Sequence, residues 1–265
     1  MKTPISYYGG KQSMLKYILP LIPKHKIYAE PFCGGAAVFW AKEPAKIECL
    51  NDKNGFVTNF YIQLKTNFEE LEKLIDATLY SRNLYRRAMV MYDVPQLFTP
   101  LQCAWAFWIL TNEGFNNQIG CWQGSHPSAK PAKKTVNKKI DFTRKLTARL
   151  DLVQLENKDA CELIAGMDSA ETFFYIDPPY VGAKQGHYGG YMQDDFNALL
   201  STLADIKGKF LLSSYPNAEL TKIAEKQGWW SKEIDLCNSA SSTKKKRKTE
   251  VLTGNYEIET ALKLD

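Results

Sequence analysis

The sequence lacks the cysteine and histidine patterns that mark metal-binding or disulfide-stabilised proteins. Six cysteines and three histidines occur among its 265 residues. The histidines are isolated from one another, and no two cysteines form a C-x-x-C pair. The composition therefore predicts no metal site and no disulfide framework, and it favours a reducing compartment. The cysteines are Cys33, Cys49, Cys103, Cys121, Cys161 and Cys237.

Long apolar runs are missing as well. The best candidate, Ala104 to Leu110, is far shorter than the roughly 20 apolar residues that cross a bilayer. No signal peptide is predicted, because the N-terminal residues run directly into Tyr7-Tyr8-Gly9-Gly10-Lys11. We therefore expect no membrane partner. With 45% hydrophobic and 24% charged residues, the composition is that of a globular protein and excludes a largely disordered chain.

Acidic residues are scarce in two stretches, although the total charge is only mildly positive, with 34 lysines and arginines against 29 acids. Between Lys130 and Arg149 there are eight basic residues, Lys133 and Lys134 among them, and a single acid. A second run, from Lys244 to Lys248, reads Lys-Lys-Lys-Arg-Lys. Such runs suit a polyanion, because neutralising phosphates releases counterions. A solvated surface loop is the alternative interpretation of each run.

The first part of the chain has the pattern of a nucleotide-binding α/β unit. A predicted strand, Ile27–Pro31, is followed by a glycine turn and by a helix that begins at Ala36. A second predicted strand runs from Lys46 to an acid, Asp52. This order of strand, glycine turn, helix, strand and acid is typical of the mononucleotide-binding half of a doubly wound sheet.

The remaining pattern predicts an open α/β sheet with a mostly helical and loopy insertion. Residues 68–112 have helical spacing and include a buried helix, Leu97–Thr111, whereas 112–139 are predicted to form loops or hairpins. We expect a main domain of residues 1–67 and 140–265, with 68–139 as the insertion. Predicted helices follow at Phe142–Leu152, Ala160–Ala165, Phe196–Ala204 and Ala218–Gln227, and predicted strands at Val153–Asn157, Thr172–Ile176, Lys209–Ser214, Trp229–Leu236 and Glu250–Tyr256, the last two forming a hairpin.

Candidate ligand-binding residues lie at the carboxyl ends of the predicted strands, where open α/β sheets bind ligands. The glycines of Pro31–Gly35 allow a ligand to approach the main chain. Asp52 is placed to accept hydrogen bonds from ribose hydroxyls, or alternatively to cap the next helix. Asp159 is placed to meet an adenine amine, but the pattern favours a helix cap there.

The most specific pattern is Asp177-Pro178-Pro179-Tyr180, which follows an uninterrupted apolar strand. The prolines fix the main chain and lack amide donors. A planar amine could therefore donate one hydrogen to the Asp177 carboxylate and one to the Pro178 carbonyl, which would turn its nitrogen lone pair towards an electrophile. Tyr180 supplies a stacking face. A proline-terminated strand with an incidental acid is the alternative, but it leaves the combination unexplained.

Taken in order, these motifs resemble those of the Dam-like, alpha-group DNA adenine-N6 methyltransferases. The resemblance extends from residue 7 to residue 256. The similar segments are Tyr7–Lys11, Glu30–Val38, Asn51–Asn54, Asp177–Tyr180, Leu211–Tyr215 and Glu250–Tyr256. The resemblance implies a Rossmann-like, S-adenosylmethionine-dependent methyltransferase sheet with a target-recognition insertion. It also implies methylation of an adenine that is flipped out of duplex DNA. Tyr7 departs from the family's best-known members, which have tryptophan there.

The resemblance also implies the role of each site residue. The catalytic residues would be Asp177, Pro178, Pro179 and Tyr180. The residues that bind S-adenosylmethionine would be Tyr7, Lys11, Pro31, Phe32, Gly34, Asp52, Asp159 and Asp177. The DNA contacts would be Asn116, Asn117, Gln118, Lys133, Lys134, Lys245 and Arg247, because Asn and Gln can bond adenine edges and Lys and Arg can meet guanine or phosphate.

Two other functions remain open. A methyltransferase of RNA or of protein amides would more often have Asn at position 177 and would lack the insertion as placed here. A catalytically silent DNA-binding module has no need of Lys11, Asp52, Asp177 and Tyr180 together. The expected partner is double-stranded DNA. The protein is expected to be encoded by a prokaryote or a phage and to lie in the cytoplasm, where it associates with the nucleoid through DNA. The sequence leaves open whether a cognate restriction endonuclease accompanies it.

Overall fold

The computed structural model describes residues 1–124, 131–182, 190–237 and 247–258. The strands in this part of the chain are β1 Ile27–Glu30, β2 Ile47–Asn51, β3 Val153–Glu156, β4 Thr172–Ile176, β5 Lys209–Ser214, β6 Trp230–Cys237 and β7 Arg247–Gly254. They form one sheet in the order β3-β2-β1-β4-β5-β7-β6. The first five positions match the order of a doubly wound sheet, so that the predicted α/β architecture is confirmed.

Helices connect most of the strands. They are α1 Leu15–Ile18, α2 Ala37–Ala41, α3 Gly55–Thr66, α4 Phe68–Asp76, α5 Arg82–Asp93, α6 Pro100–Glu113, α7 Pro131–Asp141, α8 Lys145–Arg149, α9 Ala160–Met167, α10 Gln193–Asp205 and α11 Ala218–Gln227. No helix in the described ranges is long and apolar enough to span a bilayer.

The chain forms two compact units. The first consists of Met1–Leu15, Cys33–Glu43 and Cys49–Asn157, and the second of Lys16–Phe32, Pro44–Glu48 and Lys158–Asp265. The predicted insertion, 68–139, lies within the first unit, and its boundaries stay a prediction.

The first unit is built around α6. The helix begins with a capping box in which Thr99 and Gln102 bond each other's main-chain amides, and Pro100 occupies the first turn. Nearly every residue from Cys103 to Glu113 is buried, and α6 packs against α3 and α5. A buried helix that is apolar nearly all round was expected here and is confirmed.

The second unit contains a mixed sheet. β4 pairs in parallel with β1 and with β5, and all five of its residues are buried, as expected of a central strand. β7 lies antiparallel between β5 and β6. The predicted terminal hairpin is therefore confirmed, although β7 begins at Arg247 rather than at Glu250.

The prediction of loops or hairpins over 112–139 is wrong for its last part, which is helical from Pro131 onwards. The basic residues Lys133 and Lys134 lie on α7, which runs from Pro131 to Asp141, and the helix predicted over Phe142–Leu152 is reduced to Lys145–Arg149. α7 is stabilised by contacts that the sequence does not reveal. Lys138 Nζ donates to the carbonyl of Thr3 at 2.5 Å, 135 residues away in sequence.

Candidate active site

The predicted glycine turn lies in the first unit and is shaped by Tyr7. Gly34 has φ +44°, and a Cβ added there would lie 2.8 Å from Cε1 of Tyr7. Gly35 also lies against Tyr7, 3.3 Å from its Cβ by the same measure. The Tyr7 ring is only 4% exposed, and its hydroxyl accepts a hydrogen bond from Asn54 Nδ2 at 3.2 Å. Tyr7 therefore packs under the turn, and a contact with a cofactor stays a prediction.

Asp52 connects the end of β2 to this turn. Its Oδ2 accepts a hydrogen bond from the amide of Gly34 at 2.8 Å, and its Oδ1 accepts one from the amide of Asn54 at 2.9 Å. Asn54, and not Asp52, caps α3, so that the alternative role of Asp52 as a helix cap is wrong. Burial raises the pKa of Asp52 to about 6, although the two amides lower it. Each oxygen keeps a second lone pair, which fits the hydroxyls of a ribose.

Lys11 lies in the same unit, after the turn Tyr7–Gly10. Its side chain is nearly buried, at 4% exposure, and its Nζ donates to the carbonyl of Gly9 at 2.8 Å. An ammonium group that is held this way presents fixed donors rather than a mobile surface charge. Its predicted contact with the cofactor remains a prediction.

In the second unit, β1 and β4 end at the same edge of the sheet. The two strands are parallel, with Ala29 opposite Phe174, so that Pro31 and Asp177 both follow strands that terminate together. Pro31 is buried, and the ring of Phe32 meets Tyr191 edge-on, with centroids 6.1 Å apart. The structure therefore places two of the predicted segments at one edge, as the sequence led us to expect.

The hydroxyl of Tyr180 is the centre of the Asp177–Tyr180 segment. Tyr180 Oη lies 3.2 Å from Asp177 Oδ1, 3.0 Å from Ser213 Oγ and 3.1 Å from Glu250 Oε2. Burial raises the pKa of Tyr180 well above its ordinary value, and the negative charges of Asp177 and Glu250 raise it further. Tyr180 is therefore a neutral hydroxyl whose ring is held in one orientation, edge-on to Tyr215 at 4.3 Å between centroids.

Sequence reasoning gave no role to Ser213, Glu250 or Glu30. Ser213 and Glu250 are 0% and 4% exposed and contact Tyr180 from β5 and β7. Glu30, at the end of β1, accepts a hydrogen bond from Tyr28 Oη at 2.6 Å and is 2% exposed. For Ser213 the available signal was a polar residue at the end of an otherwise apolar buried strand, since such groups require partners.

Asp159 acts as the N-cap of α9. Its side chain accepts a hydrogen bond from the amide of Cys161 at 2.9 Å. This confirms the cap that the sequence pattern favoured, and contact with an adenine ring stays a prediction.

The predicted base-reading residues form a short loop after α6. Asn116 and Asn117 both have positive φ, +52° and +61°, which is uncommon for residues other than glycine. The loop is closed by a hydrogen bond from the amide of Phe115 to the carbonyl of Cys121 at 2.6 Å, and Phe115 itself is 50% exposed. The main-chain carbonyl of Gln118 accepts a hydrogen bond from Tyr85 Oη at 3.4 Å. The Gln118 side chain takes no part in this bond. Asn112, in contrast, is buried and bonded to Ser6 and Pro4.

The predicted phosphate contacts on α7 differ in their exposure. Lys133 is exposed, whereas Lys134 is half-buried and donates to Asn117 Oδ1 at 2.6 Å. Lys138 is held by Thr3, and burial lowers its pKa to about 8. These lysines line a groove with Lys2, Asn137 and Asp141. Lys245 and the side chain of Arg247 lie outside the described residues.

Among residues 1–124, 131–182, 190–237 and 247–258, no group of three or more His, Cys, Asp or Glu side chains is arranged to hold a metal ion.

Comparison with known proteins identifies the family. Residues 7–238 match the model of the D12 class N6 adenine-specific DNA methyltransferases. Because the match covers most of the sequence, the chain belongs to this family, and the predicted resemblance is confirmed.

Three individual methyltransferases are similar to this chain in sequence, at 24% to 31% identity. The type II methyltransferase M1.LlaDCHI of Lactococcus lactis subsp. cremoris is 24% identical over 94% of this chain and 93% of its own length. The modification methylase StsI of Streptococcus sanguinis is 25% identical over 98% of this chain but only 44% of its own length. The DNA N-6-adenine-methyltransferase of Escherichia phage P1 is 31% identical over 42% of this chain and 16% of its own. The chain therefore spans less than half the length of the last two.

Proposed function

We propose that the protein is a site-specific methyltransferase that transfers a methyl group from S-adenosylmethionine to N6 of an adenine flipped out of duplex DNA. The family supports adenine methylation in DNA, and the donor, the base flipping and the residue roles are the proposal. The observation that carries it is the Tyr180 hydroxyl, which lies 3.2 Å from Asp177 Oδ1 directly after the central strand β4.

In this proposal, Asp177 and Pro178 hold the target amine. The carboxylate of Asp177 accepts one N–H and the carbonyl of Pro178 accepts the other, which fixes the nitrogen and directs its lone pair. Asp177 then takes the proton that the methylated amine releases. Tyr180 stacks on the purine ring, and Pro179 keeps the segment rigid. An adenine inside a duplex cannot make these contacts, so that the base must leave the helix.

The first unit would bind most of the methyl donor. When bound, S-adenosylmethionine supplies an electrophilic methyl group on a sulfonium. The carboxylate of Asp52 would accept hydrogen bonds from the ribose, and the bare main chain of Gly34 would lie against the methionine portion. Lys11 and Tyr7 would contact the donor from the N-terminal segment.

Three further residues complete the proposed donor contacts. Pro31 and Phe32 follow β1 and would border the donor. Asp159, at the start of α9, would approach the adenine ring.

DNA recognition is assigned to the segment after α6 and to the basic residues that follow it. Asn116, Asn117 and Gln118 would contact base edges, since their amides can donate and accept at once. Lys133 and Lys134 would contact phosphates, together with the basic residues of the terminal hairpin, Lys245 and Arg247.

The names of M1.LlaDCHI, a type II methyltransferase, and of StsI, a modification methylase, support a role in restriction–modification. A cognate restriction endonuclease would then be a partner, and the protein would act at the nucleoid in the bacterial cytoplasm. Methylation-sensitive sequencing of DNA from cells that express the protein would identify the recognised sequence.

The central experiment measures transfer of a tritiated methyl group into duplex DNA, RNA and protein side by side. We expect label in duplex DNA from the wild type and from Asp194→Ala, an exposed control on α10, and background label from Asp177→Ala. Undiminished label with Asp177→Ala would refute the catalytic role. Label in RNA or protein would favour a methyltransferase of RNA or of protein amides. Salt-sensitive DNA binding without methyl transfer would favour a catalytically silent DNA-binding module.

A further inference from the structure

Two buried residues from separate strands hold the hydroxyl of Tyr180. Ser213 is the fifth residue of β5 and Glu250 the fourth of β7. β7 pairs antiparallel with β5, with Ser213 opposite Leu252 and Ser214 opposite Val251. This register brings Ser213 Oγ within 3.1 Å of Glu250 Oε2, and both atoms reach Tyr180 Oη.

The Tyr180 hydroxyl has one hydrogen and three oxygen neighbours among the described contacts. Tyr180 and Ser213 each carry one hydroxyl hydrogen, and the carboxylate oxygens of Asp177 and Glu250 accept hydrogen bonds. Four oxygen pairs lie within 3.2 Å: Tyr180 with Asp177, Tyr180 with Ser213, Tyr180 with Glu250, and Ser213 with Glu250. If the hydrogen of Ser213 satisfies Glu250, the hydrogen of Tyr180 is left to Asp177. In this arrangement Glu250 accepts from Ser213, and the hydrogen of Tyr180 points to Asp177.

We propose that Glu250, acting through Ser213 and the Tyr180 hydroxyl, is the positioning residue that fixes the carboxylate of Asp177 for the target amine. The inference rests on the proposed function, since it assumes that Asp177 receives the adenine amino group. With the Tyr180 hydrogen on Oδ1, the plane of the Asp177 carboxylate is set, and the same bond holds the ring of Tyr180 as a stacking surface. Glu250 itself touches neither substrate nor donor in this scheme.

The experiment compares single-turnover methylation by Glu250→Gln, Ser213→Ala and the control Glu233→Gln. Glu233 is exposed on β6, opposite Val251. We expect Glu250→Gln to slow the methyl-transfer step about 10- to 100-fold, the scale of a misplaced reactive group, and Ser213→Ala to slow it less. Dissociation constants for DNA and donor should stay within about twofold of the wild type.

A double-mutant cycle with Tyr180→Phe separates positioning from a general structural effect. If Glu250 acts through the Tyr180 hydroxyl, Glu250→Gln should add almost nothing once that hydroxyl is removed. Additive rate losses, or rates for Glu250→Gln equal to those of Glu233→Gln, would overturn the inference.

Urea unfolding checks that each variant is folded. If Glu250→Gln does not fold, the rate comparison is made with Ser213→Ala instead. Full transfer by Glu250→Gln with none by Asp177→Ala would reject the positioning role alone. No transfer to DNA by the wild type would reject the proposed function and this inference with it.

Discussion

The carboxylate of Asp52 accepts a hydrogen bond from the amide of Gly34 at 2.8 Å, across 18 positions of sequence. This bond connects the end of β2 to the glycine turn and buries the acid at 7% exposure. The turn is thus held from one side by a carboxylate and from the other by the ring of Tyr7. A carboxylate in this position can fix the main chain and still accept hydrogen bonds from a ligand.

Asp52→Asn should change how stability depends on pH. In the folded protein the pKa of Asp52 is raised from 3.8 to about 6, so that folding favours the protonated acid. Its contribution is complete below about pH 4 and is lost as the pH rises through 6. A shift of this size corresponds to about 3 kcal/mol. The free energy of unfolding of the wild type, minus that of Asp52→Asn, should therefore fall by about 3 kcal/mol between pH 3 and pH 7, as measured by urea unfolding. A difference that stays constant over this range would contradict the buried setting of Asp52.

Gly34→Ala should destabilise the first unit because its Cβ would collide with Tyr7. Positive φ and the collision together should lower the free energy of unfolding by about 1–3 kcal/mol, and donor binding should weaken as well. Gly166→Ala is the control, because nothing lies within 4 Å of its added Cβ and alanine favours the helix. In a Tyr7→Ala background the cost of Gly34→Ala should shrink. An undiminished cost there would mean that Tyr7 does not shape the turn.

The sequence was sufficient to predict the elements whose signal is local. β4 is an unbroken apolar run, α6 is apolar nearly all round, and the prolines after Asp177 end the strand whatever surrounds it. The contact between Glu250 and Tyr180 could not be predicted, because it depends on β7 entering the sheet between β5 and β6 with Ser214 opposite Val251. α7 was missed for a similar reason. Its sequence is rich in lysine and poor in apolar residues, and Lys138 and Lys139 bond carbonyls of Thr3 and Asp76 that lie far away in the chain.

Glu113→Gln should stabilise the protein at alkaline pH. Glu113 ends α6 and is 1% exposed, and its carboxyl lies beside the indole of Trp122 and the ammonium of Lys139. Burial raises its pKa from 4.5 to about 7, although Trp122 and Lys139 lower it. The folded state therefore favours the protonated acid, and this contribution is lost as the pH rises through 7. The free energy of unfolding of Glu113→Gln, minus that of the wild type, should therefore rise by about 3 kcal/mol between pH 4 and pH 8. The exposed control Glu70→Gln should show no such growth, and equal behaviour of the two variants would contradict the prediction.

Lys133→Ala and Lys138→Ala should separate DNA contact from folding on α7. Lys133 is exposed, so that its removal should reduce the slope of log affinity against log salt by about 0.9, the value for one phosphate contact, with stability unchanged. Lys138 donates to the carbonyl and hydroxyl of Thr3, and its loss should lower the free energy of unfolding by about 1–3 kcal/mol, because buried acceptors lose their donor. Fluorescence anisotropy with labelled duplex at several salt concentrations measures the first effect, and urea unfolding the second. Lys222→Ala on α11, where the side chain pairs with Glu219, is the control and should leave both quantities unchanged. If Lys133→Ala binds DNA with the wild-type slope, α7 does not contact the phosphate backbone through this residue.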